Sequence, residues 1–301
     1  MKFKTIEELV TLAETSNKKI SEIMIENEVE VQERTREDIY EQMRNSLNVM
    51  KEAIEKGLTE EVKSRSGLSG GDGKRLANYL EKGKILSGET ILEAVSKAVA
   101  TSEVNASMGT IVATPTAGSV GILPGAIFAT AKKLNSSEED MIDALFTAGA
   151  IGIVIANNAF ISGAAGGCQA EVGSATAMAA AAVVEMAGGT PRESAHALAI
   201  ALKNMLGLTC DPVAGLVEVP CVKRNAMGAA NAMVAADMAL AGIISVIPAD
   251  EVIETMYQIG CALPMPLKET SLGGLAITPT AKKLEQQIFG CAINPIIQDI
   301  K

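Results

Sequence analysis

The chain has 301 residues, enough for one large domain or two small ones, and 48% of them are apolar although only 3% are aromatic. Its core must therefore be built from Ala, Ile, Leu, Val and Met, a mixture that favours helices. The net charge of −10 and the pI near 4.9 argue against a polyanionic partner, and no basic stripe with interleaved aromatics occurs. Nucleic-acid binding is therefore excluded as a main function.

Residues 1–58 alternate charged and apolar positions at helical spacing and predict two or three surface helices without chemistry. A capping box marks the first helix start at Thr5. The first residues lack the apolar stretch and cleavage site of a signal peptide, which indicates a cytoplasmic protein. We expect this N-terminal helical segment, 1–58, to pack on a catalytic domain formed by residues 59–301.

A loop rich in Gly and Ser is predicted at residues 61–75, EVKSRSGLSGGDGKR, and helices alternate with Gly/Pro turns after it. Capping boxes at Thr90 and Thr190 mark two of these helix starts. The pattern predicts helices at residues 90–102, 138–156, 171–187, 191–205, 224–245, 249–260 and 279–289.

Candidate strands are scarce, because VGILPG (120–125) and SVIPAD (245–250) are short and stop at proline. The predicted fold class is therefore all-α, a single large helical domain with buried Ala/Gly-rich central helices. Residues 174–184 and 226–236 are apolar all round and are expected to be such buried helices.

Residues 144–170 contain no charge and are long enough to cross a bilayer. Four polar residues and three glycines interrupt this stretch, and no basic cluster flanks it. A buried central helix followed by a Gly-rich turn is the favoured interpretation, and a membrane span is the alternative.

The five cysteines form an odd set, which argues against structural disulfides. Cys168 follows two glycines at a predicted helix start, and Cys210 and Cys221 bracket a turn-rich segment. Their spacing matches no zinc or ferredoxin pattern, so simple burial is one interpretation. Their positions at element ends favour another, since three thiolates without histidine are soft ligands for zinc or iron–sulfur. Cys261 and Cys291 lie in or beside apolar helices and are expected to pack there.

The remaining candidate groups are weaker signals. The single histidine, His196, is expected to be structural. Segments 66–75 and 113–125 resemble anion-binding loops, and their backbone N–H groups and hydroxyls suit a carboxylate. Glu171 and Asp211, close in sequence to cysteines, could orient ligands or handle protons.

Four segments together carry a family resemblance: NAFISGAAGGCQAEVG (158–173), GLTCDPVAGLVEVPC (207–221), VKRNAMGAANA (222–232) and TPTAGSVGILPG (114–125). They resemble the iron–sulfur-dependent L-serine dehydratases of bacteria, and more narrowly the alpha chain of the two-subunit type.

The resemblance implies an all-helical catalytic domain that deaminates L-serine to pyruvate and ammonia without pyridoxal phosphate. It implies a [4Fe–4S] cluster held by Cys168, Cys210 and Cys221, with an open iron as Lewis acid on the serine hydroxyl. It also implies a separate beta chain as partner. Some relatives end with a cysteine that reaches the cluster, whereas the last cysteine here, Cys291, is ten residues short of the end.

Within this interpretation, the glycine and hydroxyl loops would bind the carboxylate of serine. The candidate substrate-binding residues are Ser66, Ser69, Gly70, Thr114, Thr116, Asn158 and Arg224. Lys74 and Glu171 are the candidate catalytic bases. The alternatives are a related cluster lyase acting on L-cysteine and a non-enzymatic iron–sulfur electron-transfer or sensor protein.

Overall fold

The computed structural model describes residues 2–290, which form helices and two isolated bridges without a β-sheet. This confirms the all-α prediction. The helices are α1 (Ile6–Ser16), α2 (Ile20–Gln32), α3 (Arg36–Thr59), α4 (Asp72–Glu81), α5 (Glu89–Ala106), α6 (Ile122–Leu134), α7 (Glu138–Asn158), α8 (Gly163–Gly166), α9 (Ser174–Met186), α10 (Pro191–Lys203), α11 (Cys221–Leu240), α12 (Ala249–Ala262) and α13 (Pro279–Phe289).

Helix α9 is the centre of the core and packs against α6, α7, α10 and α11. Residues 174–184 are all buried, as predicted, and their many alanines let neighbouring helices approach closely. The same prediction for 226–236 is wrong in part, because Met227 and Val234 are 43% and 44% exposed. Helix α11 packs on α5, α9 and α10 and turns its remaining face to solvent.

The predicted N-terminal helices are present as α1, α2 and α3, but they are not confined to the surface. Phe3, Ile6, Ile20 and Ile23 are buried in the same apolar cluster as α9. Helix α2 packs on α7, and α3 packs on α5. The N-terminal segment therefore supplies part of the main core.

Two helix starts differ from the sequence prediction because distant side chains cap them. Helix α4 begins inside the predicted loop, where the buried carboxylate of Glu103 accepts the N–H groups of Asp72 (2.8 Å) and Gly73 (3.0 Å). Helix α6 was not predicted, and the side chain of Asn225 accepts the N–H of Gly121 at its start (2.9 Å). A free N–H group at a helix start needs an acceptor, and both acceptors come from other helices.

The first two helices are capped in the same way. Asp250 in α12 accepts the N–H groups of Ile6 (2.8 Å) and Glu7 (3.0 Å) at the start of α1. Glu185 near the end of α9 accepts the N–H of Ile20 at the start of α2 (2.8 Å). These bonds fasten α1 and α2 to α12 and α9.

The uncharged stretch divides between two elements. It forms the later part of α7, which ends at Asn158, and the Gly-rich turn that contains α8. Across residues 2–290, none of the helices combines the length and apolar character that crossing a membrane requires.

Candidate functional site

Two of the three cysteines selected from the sequence lie where helices begin, and the third lies in an extended segment. Cys168 precedes one turn of π-helix, Gln169–Gly173, that leads directly into α9. Cys210 lies in an extended segment, and Cys221 is the first residue of α11. All three are free thiols, and Cys168 and Cys210 are each only 3% exposed. Turns of π-helix are frequent at functional sites, because they change the direction of side chains at a helix start.

Gln169 ties the first cysteine to the segment that carries the second. Its backbone N–H donates to the carbonyl of Leu208 (3.0 Å), and its side-chain oxygen accepts the N–H of Gly207 (2.8 Å). Its amide nitrogen donates to the carbonyl of Met256 in α12 (2.9 Å). This fully buried side chain fixes the distance between Cys168 and the start of residues 207–221, which we term the cysteine loop.

A segment that the sequence did not indicate holds Cys210 from the other side. The N–H of Cys210 donates to the carbonyl of Leu267 (2.9 Å), and its carbonyl accepts the N–H of Glu269 (2.8 Å). Glu269 has a left-handed backbone, with φ of 61°. The carboxylate of Glu269 therefore lies at the site, although it follows Cys210 by many residues and no local pattern marks it.

The thiols are close enough to influence one another electrostatically. Burial is the main cause that raises the pKa of Cys168 to about 11 and of Cys221 to about 12, and it also raises the pKa of Cys210. A charge on Cys168 raises the pKa of both other thiols further, whereas the guanidinium of Arg224 lowers that of Cys168. Without a bound cation the thiols therefore stay protonated, and metal binding would release their protons.

Arg224, a predicted substrate-binding residue, contacts Cys168 and the backbone next to Cys210. It hydrogen-bonds to the sulfur of Cys168 and donates to the carbonyl of Thr209 (2.7 Å). Its second terminal nitrogen forms an ion pair with Asp211 (2.9 Å). The other carboxylate oxygen of Asp211 accepts the N–H of Leu275 (2.7 Å). A role for Asp211 in orienting a ligand stays a prediction.

Glu171, a candidate base, is buried in the same region. Thr116 donates its hydroxyl to this carboxylate (2.8 Å), and the N–H of Gly163 also donates to it. Burial raises the pKa of Glu171, and the nearby charge of Glu269 raises it further. A Cβ atom on Gly118 would lie 3.0 Å from a Glu171 oxygen, so the backbone of the 113–125 loop packs directly on this carboxylate.

The loop formed by residues 64–71, termed here the seryl loop, is joined to the cysteine loop by one acid. Ser66 and Ser69 each donate a hydroxyl to Glu218, one to each carboxylate oxygen, at 2.7 Å. Gly70 is required by sterics, because a Cβ there would meet the carbonyl oxygen of Val62 at 2.2 Å. The structure thus brings two predicted substrate-binding residues, Ser66 and Ser69, to the cysteine loop.

Asn225 joins the loop formed by residues 113–125 to Cys221. Its amide donates to the carbonyls of Gly118 (2.7 Å) and Cys221 (2.9 Å). Thr114 is buried in this loop, and its carbonyl accepts the hydroxyl of Ser119 (3.0 Å). The motif that contains Asn225 could be seen in the sequence, but its bridging role could not.

Lys74 and Asn158 occupy different surroundings. Lys74 lies in the first turn of α4, which an ion pair between Asp72 and Lys223 joins to the first turn of α11. Asn158 is exposed, and its amide donates to the carbonyls of Lys4 (2.9 Å) and Val154 (2.8 Å). Roles for both residues in the reaction stay predictions.

Cys261 and the histidine fall outside this cluster of contacts. Cys261 is exposed on α12, so the expectation that it packs in the core is wrong. Cys291 lies outside the described residues. His196 accepts the N–H of Ser245 (3.4 Å), and burial lowers the pKa of its imidazole.

Three thiols are soft ligands of the kind that hold iron–sulfur centres. No three His, Cys, Asp or Glu side chains in the described part of the chain are grouped tightly enough to hold one metal ion. Three free thiols nevertheless lie in one region, with Cys168 and Cys210 buried and Cys221 partly buried. In an iron–sulfur cluster each thiolate binds a different iron, so the ligands stand further apart than around one ion. The residues present are therefore compatible with such a cluster.

The chain is similar to known proteins along most of its length. The family model described as serine dehydratase alpha chain matches residues 15–276. A probable L-serine dehydratase alpha chain from Bacillus subtilis (strain 168) is 64% identical over 97% of each chain. The L-serine dehydratase alpha chain of Peptoniphilus asaccharolyticus is 43% identical over 95% of this chain and 98% of its own length. L-serine dehydratase 1 of Escherichia coli (strain K12) is 37% identical over 91% of this chain and 62% of its own length.

Proposed function

This chain belongs to the family of serine dehydratase alpha chains, and on that premise we propose that it converts L-serine to pyruvate and ammonia as one chain of a two-chain lyase. The names of its relatives support serine as substrate. The match over 97% of the Bacillus alpha chain supports a separate beta chain as partner. The observation that carries the proposal is the meeting of Cys168, Cys210 and Cys221 beside the buried Glu171.

We propose that these three cysteines hold a [4Fe–4S] cluster and that pyridoxal phosphate is not required. When bound, the cluster would supply a Lewis acid for the hydroxyl group of serine. Arg224 hydrogen-bonds to the Cys168 sulfur and would stabilise its thiolate form. Gln169 and the segment around Glu269 would keep the first two cysteines at a fixed separation.

The reaction also needs a base for the Cα proton of serine. Glu171 has more support than Lys74, because Thr116 and the N–H of Gly163 fix its carboxylate beside Cys210. Removal of the Cα proton and departure of the hydroxyl group, together one water, leave aminoacrylate. This product tautomerises to an imine, and water hydrolyses the imine to pyruvate and ammonia.

Iron content provides the direct test of the site. The chain is reconstituted anaerobically with iron and sulfide, and Cys168→Ala, Cys210→Ala and Cys221→Ala are compared with wild type by absorption spectrum and metal analysis. We expect each of these variants to lose or degrade the cluster. The exposed Cys261 offers a matched control, and Cys261→Ala should retain full iron. Equal iron in all four variants would contradict the proposed ligands.

Turnover tests the substrate and the base. With the beta chain present, L-serine should be consumed faster than L-threonine or L-cysteine, and a preference for L-cysteine would point to the alternative lyase. Glu171→Gln should lower kcat by about 100-fold or more while iron content is kept, since positioned bases contribute that much. Lys74→Met is the parallel variant, and a large loss of kcat in it alone would transfer the role to Lys74.

A further inference from the structure

Glu218 is a buried acid that the proposed reaction does not use. It lies in the cysteine loop, three residues before Cys221, and is 5% exposed. Its backbone carbonyl accepts the N–H of Val222 (3.0 Å) in the first turn of α11. The position of Glu218 is therefore coupled directly to the helix that begins with Cys221.

The carboxylate of Glu218 is satisfied by hydroxyl groups. Ser66 donates to one oxygen and Ser69 to the other, both at 2.7 Å, the short distance expected for hydroxyls bonded to a charged acceptor. Among residues 2–290, no Lys, Arg or His forms an ion pair with this carboxylate. Since a buried carboxylate is costly unless its oxygens are bonded, the two serines hold Glu218 in place and are held by it.

The same bonds limit what the serines can do. Each hydroxyl group has one proton to donate, and Ser66 and Ser69 both donate theirs to Glu218. Ser66 also accepts the N–H of Leu68 (3.0 Å), and Ser64 accepts the N–H of Ser69 (3.3 Å). The seryl hydroxyls therefore hold the seryl loop in shape and position its backbone.

We propose that Glu218 is a positioning residue that locks the seryl loop to the cysteine loop, so that serine binding and the placement of Cys221 depend on one carboxylate. The part of this inference that concerns serine rests on the proposed function. The mechanical part does not, because it concerns only the two loops and their hydrogen bonds.

Hydrogen exchange on the metal-free, full-length chain tests the mechanical part. In Glu218→Ala, backbone amides of both loops should exchange at least about tenfold faster than in wild type, as expected for loss of hydrogen bonds to a charged group. Glu218→Asp keeps two acceptor oxygens and should restore part of the protection. Glu185→Ala is the matched control, a buried acid at the far end of α9 that binds the start of α2. It should speed exchange near Ile20 and leave both loops unchanged.

Faster exchange in the seryl loop alone, or in neither loop, would overturn the proposal. If Glu218→Ala does not fold, the double variant Ser66→Ala, Ser69→Ala removes the same two bonds from the other side. Faster exchange of the cysteine loop in that variant would support the link, and unchanged exchange would contradict it.

Kinetics with the reconstituted two-chain enzyme test the coupling to serine. Glu218→Asp should raise KM for L-serine by about tenfold with a smaller change in kcat, because binding geometry is lost while the reacting groups remain. The effects of Glu218→Gln and of the double serine variant on KM should be less than additive, since they break the same bonds. Additive effects would contradict the proposal. If the wild-type enzyme does not turn over serine, the proposed function fails, whereas the exchange result still decides whether the two loops are linked.

Discussion

At the centre of the site, the absence of a side chain at position 163 leaves room for three reactive groups. A Cβ atom on Gly163 would lie 2.7 Å from the sulfur of Cys210, 2.9 Å from a Glu171 oxygen and 3.1 Å from a Glu269 oxygen. Real Cβ atoms essentially never come within 3.0 Å of another atom, and a contact of 3.1 Å is unusually tight. Glycine at this position therefore lets a thiol and two carboxylates share one small space.

Gly163→Ala should displace one of these groups at a cost of about 1–3 kcal/mol, the usual range for overpacking. We expect the variant to bind much less iron after anaerobic reconstitution, measured by metal analysis. Gly149→Ala is the matched control, because the nearest atom to its Cβ is 4.0 Å away, on Met24. That control should retain iron and keep or slightly increase stability, since alanine favours the helix.

Individual residues of the site could be predicted where a local pattern marks them. Cys168 follows a glycine and Cys221 follows a proline, each where a helix begins, and this pattern is visible in the sequence. Glu218 and Glu269 are two of 36 acidic residues, and their partners lie far away along the chain. Only the folded backbone brings these carboxylates to the site.

Helix starts show the same difference. Caps from neighbouring residues could be predicted from the sequence, whereas caps from distant residues could not. Thr5 and Thr190 cap α1 and α10 as predicted, and Thr190 forms a complete capping box. The predicted box at Thr90 is wrong, because α5 already begins at Glu89. The start of α4 could not be predicted, since its acceptor, Glu103, lies in α5.

The cap from α12 to α1 should contribute measurably to stability. Asp250→Ala removes the acceptor for two N–H groups, and we expect a loss of about 1 kcal/mol in the free energy of unfolding, as for other helix caps. Glu251→Ala is the control, because Glu251 is an exposed acid in the same first turn of α12. Denaturant unfolding of both variants would measure the difference, and equal losses would show that the bonds from α1 to Asp250 contribute nothing.

The cap of α2 by Glu185 should make the stability of the folded protein depend on pH. Burial raises the pKa of Glu185 in the folded state above its ordinary value of 4.5. The folded protein then holds this proton more tightly than the unfolded chain, so its stabilising contribution is present at low pH and is lost as pH rises through the folded-state pKa.

The amide introduced by Glu185→Gln cannot ionise, so this variant should not lose stability as pH rises through the folded-state pKa of Glu185. The melting temperature of the variant minus that of wild type should therefore become more positive as pH increases from about 4.5 towards neutrality. Glu52→Gln, a change at an exposed acid of α3, serves as control. Parallel pH profiles for wild type and Glu185→Gln would contradict the prediction.

Over the whole molecule, one apolar core joins the N-terminal helices to the helices that carry the cysteines. Ile23 of α2 and Val183 of α9 belong to the same buried cluster. The sequence predicted most of the helices and the buried character of residues 174–184. It could not predict which faces meet, because contacts between α2 and α7 or α9 and α10 depend on the arrangement of the whole chain.

Because the core is continuous, damage to α2 should affect the entire molecule. Ile23→Ala should lower the free energy of unfolding by about 2–5 kcal/mol and shift a single transition. Val31→Ala, on the same helix but 58% exposed, should change it by less than about 0.5 kcal/mol. An early, separate transition in Ile23→Ala, followed by circular dichroism, would instead indicate that the N-terminal helices unfold as an independent unit.

The backbone hydrogen bonds that hold Cys210 have a consequence for the synthesis of the protein. Its backbone is hydrogen-bonded on both sides to Leu267 and Glu269, which are synthesised long after Cys210 itself. A nascent chain leaving the ribosome therefore carries an unfinished pocket until nearly all of its length has emerged. A cofactor held at this site would therefore meet its complete binding residues only after this late segment has emerged.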